Sequence, residues 1–381
     1  MLISACNKYL TIHFKLCSYF LSSPVEWNTK TRRYTLLQST KWQLYNTLVA
    51  VHCVHCFLLL GNALHHQTHS VSVRLIKWNN VLIIFSSVFF HLGSWKGRVE
   101  IASLLNSLMI FEEKCIRLDT KSRMKPHVIE KAVVFSLAVT PIFFGVSIGM
   151  MLLVKPCFPP YLGSMLFDCA WLSSLHSLPA FLRIVFSVFV AWSWLVGSSI
   201  AFLQVSILFI TTGCLNNYLD RVKRKDLPEN IYREVQLLAG ILNTLQQYII
   251  LPSTQIIATI SAIMSLYSLV NLHSAMPLPM VAFCADTVFC AFACTFYTVF
   301  GAAAQVFVKS KKLPMKWRQQ SKLPRGHVGK TFRAFAKSCA PIKIKCGSLN
   351  FISVLTPMRF INFVIVTTVK MTVMGRSRRN T

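Results

Sequence analysis

Apolar and polar residues alternate along this chain in long blocks, not at the short periods of a soluble fold. Seven stretches (42–64, 79–95, 132–154, 184–212, 250–272, 276–308 and 354–374) are apolar over a membrane helix's length. Each approaches the roughly 20 residues that cross about 30 Å of hydrocarbon. No charge interrupts 184–219, which at 1.5 Å per residue reaches about 54 Å. The fourth stretch therefore overruns a bilayer, and the sixth does likewise.

Between these blocks the pattern changes to helical periodicity. Leu104, Leu105, Leu108 and Phe111 recur along 101–118, ahead of Glu112, Glu113 and Lys114, and predict an amphipathic helix leading into the third span. Residues 220–226 read as a hydrophilic turn before a second helical pattern that starts at Ile231. The segment 309–345 carries twelve basic residues and no acidic one, with a short helix predicted over 331–344 before Gly347. Two readings stand for it: an element that joins subunits below the membrane, or a flexible linker on anionic lipid.

Charge orients the blocks. The N-terminal segment and every second loop after it hold 31 of the 40 Lys and Arg, while the remaining loops and the C-terminal tail hold 7. Cytoplasmic loops are enriched in these residues, so the N-terminus is expected inside and the C-terminus outside. The expected class is an all-α membrane protein with seven transmembrane helices in that orientation. Its parts are a cytoplasmic segment (1–41), a six-helix ligand-binding region with inner helix extensions (42–308), a basic anchor or linker (309–353), a seventh helix (354–374) and a basic outer tail (375–381). A 54% share of hydrophobic residues excludes an ordinary soluble domain. The net charge of +28 is spread between spans without an aromatic-interleaved basic module, which points to membrane lipid and away from nucleic acid. The first 21 residues lack the apolar core of a cleavable signal, and an inside N-terminus needs none.

Thirteen cysteines do not make a disulfide framework, since most fall in spans or in reducing inner segments. Cys157 and Cys169 share one outer loop and are either bridged or two free thiols. His52, His55 and Cys56 share one helix face in the apolar middle of the first span, as metal ligands or as packing residues. No phosphate loop, zinc-protease motif or nucleophile elbow occurs, so no enzyme and no cofactor is expected. Asp286 is the only acid inside a span, marking either a functional contact or a structural hydrogen bond. Phe144, Phe189, Trp192, Tyr267 and Phe283 are concentrated in the outer halves of the spans. With Asp286 they are the candidate lining of a small-molecule site.

Together these features carry a resemblance. Seven spans, an inside N-terminus, overlong fourth and sixth spans and a late C-terminal helix resemble the arthropod gustatory and odorant receptor superfamily. Three patches are similar in sequence: 101–118, 232–257 with Leu237, Leu238, Leu242, Asn243 and Tyr248, and 338–374 with its polar turn and Asn-Phe before the last helix. The family's Thr-Tyr and Gln-Phe marker is absent, with Val369 after Thr368 and Gly375–Arg376 at the later positions. The resemblance implies a ligand-gated cation channel subunit that responds to tastants or odorants. It also implies a homo- or hetero-tetramer whose seventh helices line the pore. Arg359, Asn362, Val366, Val369 and Val373 share one face of that helix, either as pore lining or as packing against spans five and six. A G-protein-coupled receptor needs the opposite orientation, and a secondary transporter would show internal symmetry.

Overall fold

In lipid every backbone polar group needs an internal partner, so long apolar blocks can only be helices. The computed structural model describes residues 2–65, 71–118, 128–154, 161, 179–276, 278–320, 327–348 and 350–377. They form α1 (Leu2–Tyr19), α2 (Ser39–His65), α3 (Val71–Lys96), α4 (Arg98–Leu118), α5 (Val128–Val154), α6 (Ala180–Arg224), α7 (Ile231–Gln246) and α8 (Ile250–Asn271). Next come α9 (Leu278–Phe289), a π-helical segment (Cys290–Phe300) and α10 (Gly301–Gln320), end to end, and finally α11 (His327–Ser338) and α12 (Leu355–Ser377). Strands pair only locally, as β1 (Val25–Asn28) with β2 (Arg33–Leu36) and β3 (Lys345–Cys346) with β4 (Asn350–Phe351).

Among the described residues five helical runs are long and apolar enough to cross a membrane: Ser39–His65, Val128–Val154, Ala180–Arg224, Ile250–Asn271 and Met280–Gln319. The stretches in α3 and α12 are long but diluted, α3 by Asn79, Asn80 and His91 and α12 by Arg359 and Lys370. Several helices turn apolar residues outward and polar ones inward. On α2, Val51, Val54, Phe57 and Leu58 are exposed while His52, His55 and Asn62 are buried. This is the reverse of a water-soluble helix.

The centre of the fold is α6, whose 45 residues span about 68 Å. It ends where Lys225 adopts the left-handed conformation (φ 66°), so its amide and that of Asp226 close on Val222 and Arg221 carbonyls. Residues 220–224 are thus the last helical turn, and the hydrophilic turn comes after them. Against α6 lies α5, at a distance set by Gly145 and Gly149. A Cβ at Gly145 would sit 2.6 Å from Leu195 Cγ and 3.1 Å from the Ala191 carbonyl oxygen; at Gly149 it would sit 3.1 Å from Ala191 Cβ. Two small residues four apart let the backbones approach, and Ser187 Oγ donates to the Gly149 carbonyl at 2.5 Å.

Two expectations are corrected on the inner side. The helix over 101–118 is the continuation of α3, the helix of the second apolar stretch. Ile101 N–H donates to the Gly97 carbonyl and Gly97 N–H to Gly93, so hydrogen bonding carries through the junction. The helix predicted over 331–344 stops at Ser338, because Pro341 has no amide to donate and disfavours helix at Ala340. The chain beyond Ser338 is not a loose linker. Cys339, Ile342, Ile344 and Ile352 are buried, and the strand runs along α7. Asn243 donates to the Lys343 carbonyl at 2.9 Å and accepts from the Lys345 amide at 2.8 Å. Gln247 exchanges bonds with Gly347, whose φ of +69° makes the turn between β3 and β4. Pro314 leaves the Ser310 carbonyl without its usual helical donor, and Tyr232 Oη lies alongside it while donating to the Ala340 carbonyl.

The N-terminus is also packed. Ile3, Cys6, Leu10, Phe14 and Cys17 form a buried stripe at three- and four-residue spacing on α1. The buried Glu112 accepts from the Ile3 amide at 3.1 Å, placing a carboxylate at the positive end of that helix. Burial raises the Cys6 and Cys115 thiols to about 11, which keeps them protonated. The eleven cysteines among the described residues are free; Cys157 and Cys169 lie outside those residues.

Gly149→Leu should cost about 1–3 kcal/mol by forcing α5 off α6. Gly240→Ala on α7, where a side chain meets open space, should be neutral or stabilising. Thermal melting of both variants in detergent measures the difference.

Candidate functional site

The approach at Gly145 places its neighbour Phe144 against α6 and opens a cavity of about 110 Å³ beside it. The α6 wall is Trp194, Gly197, Ser198, Ala201, Phe202 and Val205, successive turns of one face. Ile83, Ile84, Ser86, Ser87 and Phe90 come from α3, and Thr254, Ile257, Ala258 and Ser261 from α8. Thr287 on α9 and Cys290, Ala291 and Thr295 on the π segment complete it. The wall is apolar with scattered hydroxyls. Its volume is of the order of the roughly 150 Å³ cavity that takes up benzene, which suits a single ring or a short chain.

Aromatic rings close one end. Phe144 lies 5.0 Å from Phe283, and Trp194 meets Phe283 edge-on at 5.3 Å. Behind the α3 wall, His52 Nε2 donates to Ser87 Oγ at 2.6 Å, because the Ser87 hydroxyl is spent on the Ile84 carbonyl. His52 Nδ1 then accepts from Ser193 Oγ at 2.8 Å, and His55 Nδ1 donates to the same oxygen at 2.7 Å. The histidine face of α2 thus ties α2 to α3 and α6. Among the described residues no group of three or more His, Cys, Asp or Glu side chains is placed to hold a metal ion.

The candidate residues from the sequence separate. Phe144 lines the cavity, and the fully buried Phe283 packs behind it on Phe144 and Trp194. Phe189 faces α2, 4.9 Å from His55, and Trp192 packs on Phe189. Tyr267 is buried on α8, its carbonyl taken by Asn271, which also donates to Thr372 on α12. Asp286 adjoins Thr287; Cys290 Sγ donates to its Oδ1 at 3.9 Å, and its buried Oδ2 has no hydrogen-bond partner among the described residues. On α12, Asn362, Val366, Val369 and Val373 lie on an exposed face, while Val364 and Thr368 are buried on the opposite one. That opposite face packs on the π segment, where Phe360 stacks on Phe296 at 5.6 Å and 8°.

Sequence reasoning missed Trp194. Trp192 and Trp194 point about 200° apart on a helix, so only one can face inward. The small residues Gly197, Ser198 and Ala201 that succeed Trp194 at helical spacing were the legible sign. The π segment left no comparable trace. Its wider turn directs Ala291 and Thr295 to the cavity and Phe296 and Phe300 toward α12.

No family model matches the chain, and no curated protein does. Solved structures do. The insect olfactory receptor OR5 from Machilis hrabei in complex with eugenol superposes with a TM-score of 0.69 and 13% identity, over 97% of this chain and 98% of that one. A second structure of the same receptor gives a TM-score of 0.58 and 11% identity, over 96% and 97%. The chain therefore has the fold of an insect olfactory receptor. It is a multi-pass protein of the cell membrane.

Asp286→Asn should leave stability unchanged or raise it by up to about 1 kcal/mol, since it removes a buried charge with an unsatisfied oxygen. A lower melting temperature in detergent would show instead that the carboxylate holds a structural contact.

Proposed function

We propose that this protein is a chemosensory receptor of the arthropod gustatory and odorant receptor superfamily. It acts as a ligand-gated cation channel subunit for small tastants or odorants. The observation that carries this reading is the apolar cavity between α3, α5, α6, α8 and the α9–π run, in a fold shared with an olfactory receptor. The similar receptor is solved with eugenol, and the cavity here has the size for one small organic molecule. α3 and α12 join the five strongly apolar helices as spans, giving seven, with the N-terminus inside on the 31-to-7 basic asymmetry.

The same geometry supplies a route from ligand to conduction. Ala291 and Thr295 line the cavity, and the next residue, Phe296, stacks on Phe360 of α12. A ligand that displaces the π segment moves the helix whose opposite face is uncovered in the single subunit. Four subunits would bring those faces around one axis, with Val369 and Val373 closing the path by dewetting. The packed base made by α7, α10, α11 and the chain between Ser338 and α12 is the element that holds such subunits together.

Ala258→Phe should abolish ligand-evoked current by filling the cavity. Trp194→Ala should shift half-maximal concentrations about tenfold or more, while Trp192→Ala leaves them near wild type. Dose–response recordings with surface labelling check all three, and an unaltered response in both cavity variants would place recognition elsewhere.

Val369→Ser should raise ligand-independent current at normal surface abundance, because a polar ring retains water. Basal current equal to wild type would remove this face from the pore.

A further inference from the structure

Five of the seven hydroxyls that line the cavity share a direction. Ser86 Oγ donates to the Ile83 carbonyl and Ser87 Oγ to that of Ile84, each at 2.5 Å. Ser198 Oγ donates to the Trp194 carbonyl at 2.5 Å, Thr254 Oγ1 to that of Ile250 at 2.7 Å and Thr287 Oγ1 to that of Phe283 at 2.8 Å. A carbonyl oxygen carries no hydrogen, so in each pair the hydroxyl must be the donor. Five lining hydroxyls have therefore spent their protons on their own helices, and what they can still offer a ligand is lone pairs. Ser87 is held hardest, because His52 Nε2 donates to its oxygen from behind at 2.6 Å. Rotating its proton into the cavity would break one bond and disturb another. Ser261 and Thr295 are the exceptions: the buried Ser261 hydroxyl has no partner among the described residues, Thr295 is not tied to a carbonyl of its own helix, and both can still donate.

The geometry points to a cavity that selects ligands bearing a hydroxyl, alcohols and phenols, over ethers and ketones of the same shape. An O–H group donates to the spent hydroxyls without disturbing them, and its oxygen can also accept from Ser261 or Thr295. An ether or ketone accepts only; it finds two ready donors and faces five hydroxyls that offer only lone pairs. A buried oxygen left without its bond costs affinity even where the shape fits. This inference rests on the cavity being the ligand site, and it adds the chemical class to that reading.

The test uses the purified full-length protein in detergent and matched probes: 4-ethylphenol against 4-ethylanisole, and 2-hexanol against 2-hexanone. Dissociation constants are measured by calorimetry for the wild type, Ser87→Ala and Ala258→Phe. The expected result is tighter binding of the hydroxyl member of each pair by about three- to tenfold, the worth of one net hydrogen bond. That advantage should shrink in Ser87→Ala, and binding of both members should be lost in Ala258→Phe. Equal binding within the pairs, or tighter binding of the ether and ketone, with loss in Ala258→Phe, would overturn the hydroxyl preference and leave the cavity as the ligand site. Binding unaffected by Ala258→Phe, or no binding of any probe, would overturn the site itself and the preference with it. The comparison within pairs on the wild type does not depend on how either variant folds.

Discussion

The contact of α5 with α6 through Gly145 and Gly149 sets the dimensions of everything above the base. Two backbones meet there with little room for a side chain between them. That approach fixes Phe144 against Trp194, Phe202 and Phe283, and so fixes one end of the cavity. Packing of this kind matters most in lipid, where apolar surface gains little by burial between helices and close contact supplies the attraction. A larger residue at either glycine would move α5 and with it the cavity wall.

Polar groups inside the bundle answer to the same environment. Histidines and serines of α2, α3 and α6 bond to one another, and lining hydroxyls fold back on their own carbonyls. Both arrangements remove the cost of a bare polar atom in an apolar setting. On the inner side the rule is met differently. Tyr232, Asn243 and Gln247 on and beside α7 hydrogen-bond the backbone of the strand leading to α12. The Tyr232 hydroxyl directs its one proton at the Ala340 carbonyl at 2.8 Å, with the Ser310 carbonyl alongside at 3.3 Å. The ion pairs around this base, Lys309 with Asp220 and Lys114 with Glu234, are partly exposed and contribute at most about 1 kcal/mol each.

The π segment is where the two regions meet. Its residues belong alternately to the cavity and to the α12 contact, so a change in one is felt in the other without a long chain of intermediates. Packed aromatic surfaces such as Phe296 on Phe360 shift as units. This gives the proposed receptor a short mechanical path, with the exposed valine face of α12 at its far end.

The blocks of apolar sequence determined the helical class, and the 31-to-7 basic asymmetry carried the proposed orientation. Both follow from transfer energies that act residue by residue and need no neighbours. Helical spacing was also enough for α7 and for the existence of α4. It did not reveal that α4 continues α3, because that depends on whether Gly97 keeps its hydrogen bonds. The basic run 309–345 looked solvated by composition, yet Ile342 and Ile344 within it, and Ile352 just beyond, are buried and anchor the chain on either side of the β3–β4 turn. Of the cavity lining, Phe144 was legible as an aromatic in the outer half of a span. Trp194 and not Trp192, the lone-pair character of the hydroxyls and the π turn were decided only by the tertiary structure. Rotation of a helix about its axis is set by what packs on it, and sequence period alone leaves that angle free.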